Sequence, residues 1–533
     1  MRIGMLAVCS LAVLVLPQVL SAAAQGESMT VRTVQGKVRG KTLNEGKVRA
    51  FLGLPYAAAP VGDLRWRAPQ PAVKWKGVRD ATNFGAHCAQ NHVFDDMIFP
   101  DNANSEDCLF LNVFTPAEAT KTSKLPVMFW IHGGGYAGGA SSEFRHSGDF
   151  LPTQGVVLVT INYRLGVFGF LATSELAKEA NGAAGNYGLM DMVAALEWVK
   201  ANIAGFGGDA GNVTIFGESA GSFAVSTLMA APAARGLFHK AIGESGSALG
   251  EGKPATEALS IHEKSDDQWV AALGVNSLAE LRALPTDKIL EAAQKKGVVF
   301  APDIDGQLLT ESVSDVFAAG RQAQVPLLAG WNRDEGSFLA IRMTVEKWKD
   351  YAAKNFHERA AEFLQFYPGE TDAQAADSAS DYGGDAFIAF GTWQWLEAHR
   401  KTGASGDRFS SPGWKKGKSP VYRYRFELRA PPSKFHPGTF AFHSDEIEYV
   451  FGTLDTRPGV VWRPEDRKLS DEVMSYWTNF ARTGDPNGAG LPVWPKYGKN
   501  DELIHLDSTI TSGPDAARPR YEFLLKGIPP FQF

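Results

Sequence analysis

The stretch NVTIFGESAG, residues 212–221, contains the local pattern from which the fold of this chain is predicted. Its first half ends at Phe216 and is an apolar, β-branched run, which predicts a buried strand. The small residues from Ala220 to Ala230 predict a helix directly after that strand. The G-x-S-x-G pattern between them, centred on Ser219, is typical of a sharp turn that lifts a serine hydroxyl above the edge of a sheet.

Strands and helices also alternate upstream of this stretch. Residues 125–131 and 155–161 are continuous apolar runs and predict two further buried strands, whereas residues 188–203 have apolar side chains at helical spacing. Strands that alternate with helices form a mostly parallel sheet with helices on both faces. We therefore predict an α/β fold whose ligand-binding residues lie at the carboxyl ends of the strands.

The C-terminal half continues this organisation. Residues 340–400 are rich in Ala, Glu and Lys and predict helices, and residues 403–419 form a loop rich in Gly, Ser and Lys. Residues 421–426 alternate in polarity and predict another strand. Because there is no internal repeat and no long linker, we predict a single domain from residue 25 to residue 533, with helical cap insertions.

A second glycine-rich motif, His132 to Gly135, directly follows the strand at 125–131. Successive glycines let the main chain approach a ligand closely and turn several N–H groups toward one point. Such donors stabilise the oxyanion of an acyl-transfer intermediate, and lipases and esterases combine them with the N–H of the residue after the serine. We predict an oxyanion hole formed by Gly134, Gly135 and Ala220. The motif alone is also compatible with a flexible loop.

A serine nucleophile needs a histidine base and a carboxylate that orients the base. In this type of fold the chain order is serine, acid, histidine, and this order leaves seven histidines as candidates: His239, His262, His357, His399, His436, His443 and His505. His443 has the most favourable local setting, in a loop before an apolar stretch. Asp334 and Glu335 both follow the apolar run at 325–330, and the pattern does not distinguish between them.

Four further motifs extend over much of the chain. They are FLGLPYA at 51–57 with PVGDLR at 60–65, SEDCLFLN at 105–112, and FGGD at 206–209 running into the serine motif. Together they resemble the type-B carboxylesterase/cholinesterase family, and most closely the bacterial carboxylesterases, over nearly the whole chain after residue 24. The resemblance implies the α/β-hydrolase fold and a serine carboxylesterase that works through a Ser-Glu-His triad and an acyl-enzyme, without metal or other cofactor.

The resemblance also selects among the candidate residues. The family acid lies in an N-x-D-E-G segment, which matches residues 332–336 and implies Glu335. The family histidine precedes an E-I-x-x-V-F-G segment, which matches residues 446–452 and implies His443. Ser219 is then the nucleophile. The resemblance further implies supporting roles, near the histidine and the acid, for Glu218, Ser245 and Glu446, and a salt bridge between Arg65 and Glu106.

One departure from the cholinesterases concerns the substrate. Cholinesterases carry a tryptophan between two cysteines that binds the choline ammonium by cation–π attraction. Residues 89–107 contain no tryptophan here, and their only aromatic residues are Phe94 and Phe99. This argues against specialisation for choline esters. The alternatives are a specialised hydrolase of bulky or aromatic esters, amides or lactones, and a non-catalytic binding module on the same fold.

The first 24 residues predict a signal peptide. Arg2 precedes an apolar run, and Ala22-Ala23-Ala24 forms a small-residue cleavage site, so we predict cleavage before Gln25 and a secreted or periplasmic protein. No later stretch is long and apolar enough for a stable membrane anchor. The net charge of −6 argues against a nucleic-acid partner and leaves a small-molecule ester as the expected one. The sequence does not indicate an oligomeric state.

The cysteine count fits this compartment. Cleavage removes Cys9 and leaves Cys88 and Cys108. An even pair of cysteines in an exported protein predicts a disulfide, which the family resemblance also supports. Two free thiols are the alternative.

Overall fold

The structure is a computed structural model that describes residues 29–101, 103–250, 257–294, 299–337, 343–402 and 419–529. The predicted signal peptide and almost all of the loop predicted at 403–419 lie outside the described residues. Within them, no helix has the length and apolar character needed to cross a membrane. The single domain from residue 25 to residue 533 stays a prediction.

The strands are numbered in chain order. They are β1 (Thr30–Arg32), β2 (Lys37–Arg39), β3 (Lys41–Leu43), β4 (Val48–Pro55), β5 (Val78–Asp80), β6 (His87–Cys88), β7 (Asn104–Ser105), β8 (Phe110–Pro116), β9 (Leu125–Ile131), β10 (Val157–Ile161), β11 (Gly208–Glu218), β12 (Lys240–Glu244), β13 (Leu327–Asn332), β14 (Val421–Phe426), β15 (Glu502–Leu506) and β16 (Thr511–Pro514).

One 11-stranded sheet forms the centre of the fold, in the order β16-β15-β14-β13-β12-β11-β9-β10-β8-β4-β3. All neighbours from β15 through β10 in this order are parallel. The strands β8, β4 and β3 at one edge and β16 at the other pair antiparallel. The mostly parallel sheet predicted from the sequence is therefore confirmed.

The helices cover both faces of this sheet, and some of them belong to long insertions in the connections between strands. They are α1 (Gly166–Phe170), α2 (Ser174–Glu179), α3 (Tyr187–Asn202), α4 (Ala220–Ala230), α5 (Leu259–Ala271), α6 (Leu278–Ala283), α7 (Thr286–Ala293), α8 (Val313–Ala318), α9 (Val345–Phe356), α10 (Ala360–Phe366), α11 (Asp372–Gly384), α12 (Phe390–Thr402), α13 (Ile447–Phe451), α14 (Pro464–Thr483) and α15 (Arg518–Leu524). A π-helical turn, Asp385–Ala389, joins α11 to α12.

The central strand β9 shows why its sequence is apolar without interruption. Its side chains alternate between two cores: Val127 and Phe129 pack into the core on one face of the sheet, and Met128 and Trp130 pack into the core on the other. All four are fully buried. Burial of each large apolar side chain stabilises the fold by roughly 1.5–3 kcal/mol, which explains why no polar position interrupts the strand.

The connections after β12 and β13 contain the helical cap insertions. Helices α5–α8 lie between β12 and β13 in the chain, and α9–α12 lie between β13 and β14. The remaining connections around β9, β10 and β11 are shorter. The strands β11, β12 and β13 are parallel neighbours in the sheet. Their carboxyl ends, and the segments that follow them, therefore lie at the same edge.

Candidate active site

Ser219 lies in the sharp turn between β11 and α4. Its main chain has φ of +52° and ψ of −120°, a conformation that is strained for a residue with a side chain. The glycines of the motif are required by close packing. A Cβ atom added at Gly217 would lie 2.5 Å from the carbonyl oxygen of Ile131, and one at Gly221 would lie closer still to the same atom. The turn thus rests directly on the end of β9.

The glycine motif after β9 lies opposite the turn that contains Ser219. Gly134 and Gly135 have φ of +104° and +62°, in the left-handed region that glycine tolerates. A Cβ atom at Gly133 would lie 2.6 Å from an Oε atom of Glu218, so this loop packs against the serine turn. Within the part of the chain that the structure describes, the main-chain N–H groups of Gly134, Gly135 and Ala220 donate no hydrogen bond.

His443 connects Ser219 to Glu335. The Nε2 atom of His443 lies 2.8 Å from Oγ of Ser219, and its Nδ1 atom lies 2.6 Å from Oε2 of Glu335. Glu335 stands in the loop after β13, and His443 in the loop between β14 and α13. The hydroxyl can donate to Nε2 while Nδ1–H donates to the carboxylate. The three residues therefore form one continuous hydrogen-bonded chain.

The two candidate acids have different neighbours in the structure. Asp334 lies away from His443: its carboxylate accepts a hydrogen bond from Arg429, at 3.0 Å, and another from the main-chain N–H of Ala441, also at 3.0 Å. Asp334 thereby fixes the loop that leads to His443. Of the seven candidate histidines, His443 is the one whose ring lies within hydrogen-bond distance of Ser219.

The carboxylate of Glu335 is held by two donors. The hydroxyl of Ser245 and the main-chain N–H of Asn332 donate to its Oε1 atom, at 2.6 and 2.8 Å. The side-chain amide of Asn332 also donates to Glu446, at 2.5 Å, and to the carbonyl oxygen of Phe442, at 2.7 Å. Asn332 was not among the predicted site residues, although it is the first residue of the N-x-D-E-G segment.

Buried carboxyl groups surround the imidazole of His443. Oε1 of Glu218 lies 3.3 Å from its Nε2 atom, and the side chain of Glu218 is buried. Burial raises the pKa of Glu218, and the nearby Glu446 raises it further, whereas His443 opposes the rise. Burial alone would lower the pKa of His443, but the carboxylates of Glu218 and Glu335 raise it. These carboxylates therefore stabilise the imidazolium form of His443 relative to the neutral ring.

A cavity of about 640 Å³ opens over Ser219, and His443, Glu335 and the three glycines line it. Small-molecule sites in proteins typically measure about 300–1,000 Å³. The wall is mostly apolar, and its Phe and Met side chains come from three separate segments of the chain: Phe94, Met97, Phe387, Phe435, Phe440 and Phe442. Within the described residues, no group of three or more His, Cys, Asp or Glu side chains is arranged to hold a metal ion.

An ion-pair network that the sequence did not predict supports one wall. Nη1 of Arg145 lies 3.6 Å from Oδ2 of Asp96, and Nε2 of His436 lies 3.5 Å from the same oxygen. Burial alone would raise the pKa of Asp96, but His436 and Arg145 lower it to about 2. The carboxylate of Asp96 therefore links the loop between the two cysteines to the loop that contains His443.

That cysteine loop is closed as predicted. Cys88 and Cys108 form a disulfide. The predicted pair next to it is also present: the guanidinium of Arg65 donates to both carboxylate oxygens of Glu106, at 2.6 and 2.5 Å, and both side chains are buried. A bidentate buried pair of this kind fixes the base of the loop.

Comparisons with known proteins identify the family of the chain. The family model described as "Carboxylesterase family" matches residues 27–523. The chain is 35% identical to the fumonisin B1 esterase of Sphingopyxis macrogoltabida, over 90% of this chain and 87% of that protein. It is also 35% identical to carboxylesterase 5A of Canis lupus familiaris, over 94% and 88%. The crystal structure of a carboxylesterase from Geobacillus stearothermophilus superimposes with a TM-score of 0.78 at 33% identity, covering 93% of this chain and 99% of that one. The chain therefore belongs to the carboxylesterase family and is a carboxylic ester hydrolase.

Proposed function

We propose that this chain hydrolyses small-molecule carboxylic esters through a catalytic triad of Ser219, His443 and Glu335. The observation that carries the proposal is the pair of contacts at His443, with Ser219 at 2.8 Å on one ring nitrogen and Glu335 at 2.6 Å on the other. A serine hydroxyl is a weak nucleophile until a base accepts its proton, and an oriented imidazole is the usual base.

In the first half of the reaction, Nε2 of His443 accepts the proton of Ser219 as Oγ attacks the carbonyl carbon of the ester. The carbonyl oxygen becomes an oxyanion, and the N–H groups of Gly134, Gly135 and Ala220 stabilise it. The imidazolium then gives its proton to the alkoxide oxygen as the bond to the alcohol breaks. The alcohol leaves, and the acyl group remains on Ser219.

In the second half, water takes the place of the alcohol. His443 accepts a proton from the water molecule as the water oxygen attacks the acyl carbon. The resulting tetrahedral intermediate collapses, the carboxylic acid leaves, and the proton returns to Oγ of Ser219. Glu335, held by Ser245 and Asn332, keeps the imidazole oriented throughout. The carboxyl of Glu218 stabilises the imidazolium from its other side, at 3.3 Å.

We also propose that the mature chain starts at Gln25 and acts outside the cytoplasm. The first 24 residues have the composition of a signal peptide, and the Cys88–Cys108 disulfide is typical of an oxidising compartment. Expression in a bacterial host followed by fractionation and N-terminal sequencing tests this. A mature N-terminus at Gln25 in the exported fraction supports export, and an uncleaved chain in the cytoplasm contradicts it.

Hydrolysis of p-nitrophenyl esters of increasing acyl length tests the reaction. We expect turnover of short esters and a loss of about 10⁶-fold in kcat for Ser219→Ala. The control Ser475→Ala alters a serine on α14 that does not line the cavity, and it should keep wild-type activity. A Ser219→Ala variant with wild-type activity would exclude the proposed nucleophile.

A fluorophosphonate probe separates an enzyme from a binding module on the same fold. An activated serine reacts with the probe, whereas an unactivated one stays unlabelled. We expect labelling of the wild type and of Ser475→Ala, and none of Ser219→Ala. A folded wild-type protein that resists the probe and hydrolyses no ester would favour the binding module.

A further inference from the structure

The π-helical turn between α11 and α12 places one aromatic side chain in the cavity. A turn of this type accommodates an additional residue in a helix and often occurs at functional sites. Of the five residues from Asp385 to Ala389, Phe387 alone is exposed, with 37% of its surface accessible, and the other four are buried. The turn thus directs a large apolar side chain away from the core.

Contacts outside the cavity fix this turn. The carboxylate of Asp385 accepts a hydrogen bond from the hydroxyl of Tyr367, at 2.8 Å, and lies 2.9 Å from Nε of Arg520. Next to it, a Cβ atom added at Gly384 would lie 3.2 Å from Cβ of Glu335. The main chain that carries Phe387 is therefore held at a constant position relative to the triad acid.

The ring of Phe387 also contacts the triad histidine. Its centroid lies 5.4 Å from the centroid of the His443 ring, at an interplanar angle of 61°, which is an edge-to-face contact. Exposed phenylalanines concentrate in this cavity. Among the described residues five Phe side chains are exposed, and three of them, Phe94, Phe387 and Phe440, line it. Large apolar side chains gathered around one opening are typical of a ligand site.

We propose that Phe387 is a specificity-determining residue, and that the preferred substrates are esters with an aromatic ring packed against it beside the scissile bond. The inference rests on the proposed function, because it assigns a substrate class to the same site. Aromatic rings attract one another in edge-to-face and offset-stacked geometry beyond what their area alone provides, by an amount that corresponds to about 2- to 12-fold in binding.

Two pairs of esters test this preference. Benzyl acetate and cyclohexylmethyl acetate differ in the alcohol, and methyl phenylacetate and methyl cyclohexylacetate differ in the acid. Within each pair the carbon skeleton is the same, and a methylene group separates the ring from the reacting ester. A wall that is merely apolar favours the saturated ring, which is the more hydrophobic of the two.

We expect the wild type to prefer the aromatic member of at least one pair by about 2- to 12-fold in kcat/KM. Phe387→Leu should bring that ratio to one or below, whereas Phe387→Tyr should keep it. Phe387→Met repeats the test with a flexible side chain if the leucine variant does not fold. The matched control is Phe150→Leu, since Phe150 is exposed to a similar extent, 42%, and does not line the cavity.

The outcomes separate this inference from the proposed function. If the wild type hydrolyses p-nitrophenyl acetate but shows no aromatic preference in either pair, the substrate class is wrong and the triad proposal stands. A preference that persists in Phe387→Leu, or in Phe387→Met where the leucine variant does not fold, would exclude Phe387 as its source. If the wild type hydrolyses none of the esters, the proposed function fails, and this inference fails with it.

Discussion

Arg145 donates two hydrogen bonds through one nitrogen atom to Ser444, the residue directly after His443. Its Nη2 atom lies 2.6 Å from the carbonyl oxygen and 2.9 Å from the hydroxyl of Ser444. The main chain of Ser444 has φ of +71°, which is uncommon for a residue with a side chain. Arg145 thus holds a strained peptide next to the proposed base, and is itself buried beside Glu143 and Glu448.

The first prediction concerns this arginine. Arg145→Lys keeps a cation but cannot reproduce the planar fork of donors, so we expect kcat to fall by about tenfold with little change in KM. Arg145→Met also leaves the carboxylates of Glu143 and Glu448 without this partner. It should lower the free energy of unfolding by about 3 kcal/mol. Ester kinetics and urea unfolding of both variants measure these effects. Wild-type kcat in Arg145→Lys would exclude the positioning role.

The second prediction concerns the pH dependence of kcat/KM. His443 must be neutral to accept a proton, and the carboxylate of Glu218 raises its pKa by stabilising the imidazolium. Glu218→Gln removes that charge and lowers the pKa. The acid limb of the profile should therefore move to lower pH by about one unit. Activity above this limb should fall by roughly tenfold, because the imidazolium is less stabilised during the reaction.

The control for this experiment is Glu472→Gln, on α14, which does not line the cavity. Its profile should match that of the wild type. If the acid limb of Glu218→Gln does not move, Glu218 is uncharged in the pH range where His443 titrates.

The third prediction concerns stability and a buried carboxyl group away from the active site. Asp303 is fully buried, and one of its oxygens accepts a hydrogen bond from Asn186, at 3.2 Å. Burial, together with the nearby carboxyls of Asp305, Asp266 and Glu263, raises the pKa of Asp303 to about 8. The folded state therefore holds a proton that the unfolded state releases above pH ~4, and this contribution to stability declines as pH rises from about 4 to 8.

Asp303→Asn removes this titration and keeps a side chain of the same shape. We expect the variant to be more stable than the wild type at pH 8, on the order of 2 kcal/mol, and the difference to vanish near pH 4. Urea unfolding at several pH values measures it. Asp287→Asn, at an exposed position on α7, is the control and should show no such trend. A difference that does not depend on pH would contradict the assignment.

The fourth prediction compares two neighbouring glycines. A Cβ atom at Gly134 would collide with the carbonyl oxygen of Gly138, whereas one at Gly135 would meet nothing within 4 Å. Gly134→Ala should displace the proposed oxyanion donors and lower kcat by roughly 100-fold. Gly135 has a φ of +62°, which an alanine tolerates at a small cost. Gly135→Ala should therefore lower kcat by only about tenfold. An equal fall in kcat for the two variants would contradict the proposed arrangement of the Gly134 and Gly135 N–H groups.

Local patterns in the sequence were sufficient for the central sheet. The strand predicted at 125–131 and the helix predicted from Ala220 to Ala230 have the predicted bounds. Polar residues flank the strand, and the helix lies between Ser219 and the Ala231-Pro232 pair. The strand predicted at 212–216 is longer, Gly208–Glu218, with a register shift against β9 between Gly208 and Val213. Such an irregularity depends on the neighbouring strand and leaves no periodic signal.

The contacts that organise the site were harder to predict because they join distant segments. Spacing did not distinguish Glu335 from Asp334, and only the resemblance to a known family did; the structure places Asp334 on Arg429, 95 residues away. Arg145 and Ser444 are 299 residues apart. A single sequence carries no local pattern for pairs at such separations, which the sheet topology alone brings together.

The π-helical turn at Asp385–Ala389 also makes the length of this segment important, independently of which residues it contains. Deleting one residue there would let α11 and α12 join as a regular helix, but one side would rotate about the axis by about 100° relative to the other. Either Trp395 and Leu396, both fully buried, would leave the core, or Gly384 would leave its contact with Glu335. Substitutions within the turn are therefore tolerated better than the loss or gain of a single residue.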